Sequence, residues 1–286
     1  MTGNIRKNQD IVGIDLGGTF LRVGLIKKGK IETYVKKKTP KSRQKLLNEL
    51  VNTIKDVADS RKLKDIKAIG VASPGPLDSE KGIIKNPPNL PFNNFNLKKY
   101  LENKFPKAKV KIENDANCVA LAEARLGCRR KNFIILTLGT GIGGGIIIHK
   151  NLYKGKGYAG ELGHIILDNG KYFEKLAAWK QTRKLTKKYF NKELLIKDLL
   201  NMNDRRANEI IEQISSYLGQ GIASLVNIFD PEIVVIAGGV RETGDRFLNK
   251  IRKHAKKFTL IPSMPKIKWS KLNHPGTLGA AMLVFE

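Results

Sequence analysis

Two cysteines, Cys118 and Cys128, are all that the 286-residue sequence contains, and they do not stand in a Cys-x-x-Cys or other paired-ligand spacing. A disulfide framework and a cysteine-rich metal site are thereby excluded, and both residues read as small packing hydrophobes. Also missing is any run of the ~18 to 20 consecutive apolar residues that a bilayer crossing needs. The opening segment Met1–Asp10 is polar, without the apolar core of a signal peptide, so a cytoplasmic protein with no membrane partner is expected. Negative charge is in short supply: Asp and Glu total 26 against 53 Lys and Arg, a formal charge of +27 that ordinarily suggests a polyanionic partner. The lysines are nevertheless spread along the chain, denser only at 36–38 and around 184–188, with no basic tail, zinc finger or aromatic-interleaved RNA motif. Nucleic acid is therefore not expected as a partner, and the charge reads as a solvated surface that also attracts anionic substrates.

What the chain does have is a 41% hydrophobic content, ample for a large core or for two lobes. Residues 10–17 read as a strand entering a glycine turn, 21–26 as its hairpin partner and 31–35 as a third strand. Between 43 and 58 the residues Leu46, Leu47, Leu50, Val51, Ile54 and Val57 recur at three- and four-residue spacing, an amphipathic helix. Residues 66–72 follow as a buried strand ended by Ser73-Pro74-Gly75-Pro76. About 120 residues after the first unit the pattern returns, with a strand at 133–138, the turn Gly139-Thr140-Gly141 and a partner strand at 143–149. A long helix at 207–229 is stopped by Asp230-Pro231, and a strand at 232–237 ends in Gly238-Gly239. Duplicated lobes are expected, a smaller one of residues 1–115 with 276–286 and a larger one of residues 116–275, divided by a cleft within one compact chain.

Asp15-Leu16-Gly17-Gly18-Thr19 is a tight turn at a strand end. Its glycines let backbone N–H groups approach a phosphate, and Asp15 suits a hydrated Mg²⁺; equally, such a turn can be only a hairpin. The run 138–145 is more demanding, because so many glycines weaken a strand unless something approaches it closely. Two such loops suit a polyphosphate chain held between two lobes. Neither is a Walker loop, since no Gly-Lys-Ser/Thr follows.

In this order, the turn at 15–19, Gly70-Val71-Ala72-Ser73-Pro74-Gly75-Pro76, Asn114-Asp115-Ala116-Asn117, the second glycine loop, Gly160-Glu161-Leu162-Gly163-His164, Gly238-Gly239-Val240 and Gly279-Ala280-Ala281 resemble the ROK family (repressors, open reading frames, kinases) of the actin-like ATPase clan, and within it the glucokinases. The resemblance runs nearly end to end. It implies an α/β, ribonuclease H-like fold with one strand-turn-strand phosphate unit per lobe, ATP and Mg²⁺ as cofactors, a hexose substrate and a homodimer. It further implies Asp115 as catalytic base, and Gly75, Asn89, Asn114, Glu161, His164 and Glu174 as sugar contacts. Gly17, Gly18, Thr19, Thr140 and Gly141 would cradle phosphates, Gly239 would lie by the adenosine, and Asp15 would stand near Mg²⁺ through water.

The chemistry agrees, because phosphoryl transfer to an alcohol needs a carboxylate to take the hydroxyl proton, and Asn114 offers one donor and one acceptor to neighbouring hydroxyls. Asp115 can equally be the N-cap of a helix beginning near Ala116, and His164 a satisfied buried histidine. Many family members carry a Cys-x-Cys-Gly-x-x-Gly-Cys zinc loop after the histidine. Residues 165–173 hold no cysteine and are too short for it, so no zinc is expected.

The reading favoured is a glucokinase acting on the 6-hydroxyl of glucose with ATP. Polyphosphate-dependent glucokinase, fructokinase and N-acylmannosamine kinase stand as alternatives. A sugar-responsive repressor is disfavoured by the short stretch ahead of the first strand, too short for a helix-turn-helix domain.

Overall fold

The computed structural model describes residues 10–58 and 66–286. It divides into two compact units, one running to Arg129 and taking in Leu272–Glu286, the other Arg130–Lys271.

The first unit is built on a sheet of β1 (Asp10–Leu16), β2 (Phe20–Lys27), β3 (Lys30–Lys38), β4 (Ile66–Ser73) and β8 (Lys109–Asn114), in the order β3-β2-β1-β4-β8. Helix α1 (Arg43–Ala58) follows β3. Three two-residue strands, β5 (Leu77–Asp78), β6 (Ile83–Ile84) and β7 (Phe95–Asn96), form a small sheet after β4; α2 (Leu97–Lys104) precedes β8 and α3 (Asp115–Arg125) follows it. The first three strands are antiparallel, whereas β4 and β8 run parallel to β1. Ser42 starts α1 by accepting the Lys45 N–H at 3.3 Å. The helix buries Leu46, Leu47, Leu50, Ile54 and Val57 in the first core, each removed from water to a gain of about 1.5–3 kcal/mol.

The second unit repeats the plan. Strands β9 (Phe133–Leu138), β10 (Ile142–Ile148) and β11 (Asn151–Leu152) are antiparallel, while β14 (Ile233–Ala237) and β15 (Lys266–Trp269) continue from β9 in parallel, in the order β11-β10-β9-β14-β15. Between β11 and β14 lie the hairpin β12 (Ile166–Asp168) and β13 (Lys171–Tyr172) and the helices α4 (Phe173–Ala177), α5 (Trp179–Phe190), α6 (Ile196–Leu200) and α7 (Arg205–Phe229); α8 (Gly244–Phe258) joins β14 to β15. The expected duplication is therefore present as one five-strand order used twice. Helix α7 supplies Ile210, Ile211, Ile214, Leu218, Ile222, Leu225 and Val226 to the second core. Its cap is Asp204, whose Oδ1 accepts the N–H groups of Arg206 and Ala207 at 2.7 and 3.3 Å. The Arg206 side chain, aided by those N–H groups, holds the Asp204 carboxyl down to about 2. The cap's contribution to stability is thus in place above the ordinary Asp range and is lost only as pH falls toward that value. Single charged side chains elsewhere bridge two partners: Lys37 reaches both Glu49 and Asp56, and Glu212 stands between the Lys250 ammonium and the His254 ring.

After β15 the chain returns to the first unit as α9 (Pro275–Met282). This helix touches its neighbours with no side chain between. A Cβ added at Gly70 on β4 would lie 1.7 Å from the Ala280 carbonyl oxygen, one at Gly13 on β1 2.1 Å from that of Thr277, and one at Gly279 1.7 Å from that of Cys118. Because α3 packs on α9 through this last contact, the first unit extends beyond the expected boundary at residue 115 and includes the whole of α3.

Gly279→Ala is expected to destabilise the protein by about 1–3 kcal/mol or more, as overpacking does. Gly139→Ala, whose Cβ meets nothing within 4 Å, should stay within about 0.5 kcal/mol. Urea denaturation followed by circular dichroism checks both.

Candidate functional site

In the first unit the turn between β1 and β2 is held from behind. Gly17 N–H donates to the Phe20 carbonyl at 3.0 Å, the Thr39 hydroxyl donates to the Gly17 carbonyl at 2.6 Å, and Lys41 Nζ donates to the Gly18 carbonyl at 3.0 Å. Thr39 N–H donates to the Thr19 carbonyl at 2.9 Å. Asp15, the penultimate residue of β1, lies directly across from Arg22 of β2, which donates to its Oδ2 at 3.0 Å. Burial pushes the Asp15 carboxyl above its ordinary value, against the pull of Arg22 and His274. Gly18 lies so close to Asn89 that a Cβ there would be 2.5 Å from the Asn89 Cβ. Asp15, Gly17, Gly18, Thr19 and Asn89 are thus gathered on one turn.

The second gathering in this unit is the passage from β8 to α3. Asn114, not Asp115, is the N-cap: its Oδ1 accepts the N–H groups of Ala116 and Asn117 at 2.9 and 3.3 Å. That spends its acceptor, leaving the Nδ2 donor, which lies 3.8 Å from where a Cβ on Gly75 would stand. Asp115 is the first helical residue, half-buried, its Oδ1 accepting the Ala116 N–H at 2.8 Å. Beneath it, burial pushes the Cys118 thiol well above its ordinary value, with Glu113, Asp115 and Asp15 adding to the effect; the thiol is inert packing, as expected.

In the second unit Ile142 is the hub. Its N–H donates to Glu174 Oε2 at 2.9 Å. A Cβ on Gly141 would lie 2.2 Å from that same oxygen, and one on Gly163 2.1 Å from the Ile142 carbonyl oxygen. Gly163 belongs to a 3₁₀ turn, Leu162–His164, that sets Glu161 and His164 side by side, with Nδ1 and Oε2 3.6 Å apart. The His164 side chain is 61% exposed, so it is no satisfied core histidine. Thr140, Gly141, Glu161, His164 and Glu174 therefore gather around the start of β10. Glu174, expected at the sugar, has one oxygen committed to the phosphate turn. Residues 165–173 form the short β12–β13 hairpin, turned by Asn169 and Gly170 with φ of 44° and 71°. Among the described residues there is no group of three or more His, Cys, Asp or Glu able to hold a metal, and no helix long and apolar enough to cross a membrane.

Beside the same turn opens a cavity of about 340 Å³. Gly139, Thr140 and Gly239 stand on its wall, with Ala178, Ile214 and Phe247 as apolar lining. Trp179 also lines it, its N–H donating to the Gly139 carbonyl at 3.1 Å, and the Lys197–Glu242 ion pair at 2.9 Å closes one side. The size and lining suit a flat heteroaromatic ring with a polar tail. Sequence reasoning found Gly239 but not Trp179, Lys197 or Glu242, which carry no motif. Lys41 and Arg22 were also missed, although the hairpin register that sets Arg22 opposite Asp15 follows from the turn at 17–19.

The ROK family model matches residues 11–286. A glucokinase from Thermotoga maritima is 30% identical over 312 residues, covering 96% of this chain and 97% of its own length. A xylose repressor from Caldicellulosiruptor bescii is 30% identical, covering 90% of this chain and 73% of its own. The solved structure of a glucokinase from Streptomyces griseus in complex with glucose and AMPPNP superposes with a TM-score of 0.84 at 26% identity, covering 96% of this chain and 98% of that one. The match along nearly the whole chain shows that the chain belongs to the ROK family.

Proposed function

We propose that this protein transfers the γ-phosphoryl group of ATP to the 6-hydroxyl of a hexose, glucose before others. The observation that carries the reading is the division of labour at the β8–α3 turn: Asn114 takes over the cap, so the carboxylate of Asp115 is not needed to start the helix. Asp115, at the head of α3, accepts the proton of the attacking hydroxyl. Full-length likeness to glucokinases supports the acceptor, while the apolar cavity next to the Gly139–Thr140 turn supports a nucleoside over an inorganic chain as donor.

Sugar contacts are assigned to the Nδ2 of Asn114, to Asn89 and Gly75, and to Glu161, His164 and the second oxygen of Glu174. Charge-assisted hydrogen bonds from such groups contribute about 1.5–3 kcal/mol each. Gly17, Gly18 and Thr19 are assigned to phosphate contacts, as are Thr140 and Gly141, with Lys41 and Arg22 adding positive charge at the first turn. A Mg²⁺ that keeps most of its water needs only one or two carboxylates besides phosphate oxygens. The donor set at Asp15, a single carboxylate beside a phosphate-sized turn, fits it. When bound, the ion neutralises charge on the transferring group.

Asp115→Asn should leave glucose binding intact and lower kcat by ~10² to 10⁴, measured in a coupled assay; near-normal turnover would remove Asp115 from the mechanism. Gly239→Leu fills the cavity from a point where nothing lies within 4 Å. It should raise the KM for ATP roughly tenfold, about 1.4 kcal/mol, with the KM for glucose unmoved. An unchanged ATP KM would take the nucleoside out of this cavity.

A further inference from the structure

Immediately before Asn114 and Asp115 stands a carboxylate with no task in the account above. Glu113 is the penultimate residue of β8, paired with Ala72 of β4, and is only 3% exposed. A strand lying between covered faces ordinarily carries aliphatic residues at such positions, as Ile112 beside it does. A buried carboxylate is costly unless it is well hydrogen-bonded, so its partners show what it is for.

Two of them are specific. Glu113 Oε1 accepts the backbone N–H of Asn114 at 2.9 Å and the side-chain Nδ2 of Asn117 at 3.2 Å. Asn114 is thereby gripped at both ends, its N–H by Glu113 and its Oδ1 by the N–H groups of Ala116 and Asn117. Asn117 closes the ring, giving its N–H to Asn114 and its amide to Glu113. The amide oxygen of Asn117 is buried with no partner, so the bond to Glu113 is what orients this side chain. A helix cap alone requires neither a buried carboxylate nor an orphaned amide oxygen, since Asn114 already supplies the cap. What the ring adds is rigidity in the peptide that leads into Asp115, and so in the direction along which the Asp115 carboxylate leaves the helix. The effect of Glu113 and Asp115 together on the buried Cys118 thiol places both carboxylates in one neighbourhood.

We propose that Glu113 is a positioning residue for phosphoryl transfer: its Oε1, by fixing the Asn114 backbone and the Asn117 amide, sets the direction in which Asp115 meets the sugar hydroxyl. This role rests on Asp115 being the base.

Glu113→Ala and Glu113→Gln separate the possibilities, because glutamine keeps an acceptor oxygen able to take both bonds and alanine does not. Glu113→Ala is expected to lower kcat roughly 10- to 100-fold, the scale of a ~1 Å misplacement. The Kd for glucose, read by calorimetry, and the KM for ATP should stay within about threefold, and Glu113→Gln should keep kcat within about threefold of the parent. A lower melting temperature with kcat unchanged in Glu113→Ala, or an equal loss of kcat in both variants, overturns the role. If Glu113→Ala is not recovered folded, Asn117→Ala, which removes one of the two donors, takes its place. A several-fold lower kcat at unchanged glucose Kd supports positioning, and an unchanged kcat overturns it. Asp115→Asn is measured alongside. Should it retain turnover, the base is misassigned; should it be inactive while Glu113→Ala is fully active, only the role of Glu113 falls.

Discussion

The first unit depends on backbone lying against backbone where α9 meets the sheet and α3. Gly13 and Gly70 let the helix settle onto β1 and β4, and Gly279 lets α3 settle onto the helix, each at a distance that no Cβ could occupy. The β8–α3 turn that presents Asp115 and the β1–β2 turn that presents Asp15 both border this seam. A Cβ on Gly276, in the first turn of α9, would stand 2.9 Å from the Asp15 Cγ. The carboxylates of Asp15 and Asp115 thus both stand beside backbone contacts made by the same few glycines.

The second unit solves a like problem with polar contacts. Its glycine turn before β10 is tied to α4 through the Glu174 carboxylate and to the Glu161–His164 turn through the close approach of Gly163 to Ile142. A residue expected at the sugar and a turn expected at the phosphate therefore share a hydrogen bond. The bond ties the start of β10 to α4 within one unit.

Much of this was legible beforehand, for reasons that can be named. Helix α1 was readable from Leu46, Leu47, Leu50, Ile54 and Val57 because one face of it is buried, and β9 because all of 133–136 is. The two glycine turns stood out because glycine is a poor strand residue unless close approach requires it. The exchange of roles between Asn114 and Asp115 was not legible, since both are favoured caps and only the backbone decides between them. Nor was the cavity, whose lining comes from the end of β9, the turn after it and segments between Ala177 and Phe247 that become contiguous only on folding. The β12–β13 hairpin was readable and passed over: Asp168-Asn169-Gly170-Lys171 carries the Asn-Gly pair that a two-residue turn with two positive φ angles prefers. Helix α8, with Phe247, Leu248, Ile251 and Ala255 buried on one side, also had its period in plain view, obscured by the lysines on the other.

Those lysines have a consequence of a colloidal kind. Carboxylates such as Glu49, Asp56, Asp204 and Glu212 are already engaged by lysines and arginines of the same chain, and with 53 Lys and Arg against 26 Asp and Glu the formal excess is +27. Two copies approaching one another in dilute buffer meet a repulsive barrier whose reach is the screening length, about 10 Å at 0.1 M salt and about 30 Å at 0.01 M. Added salt shortens that reach, so this charge repulsion between chains weakens as ionic strength rises.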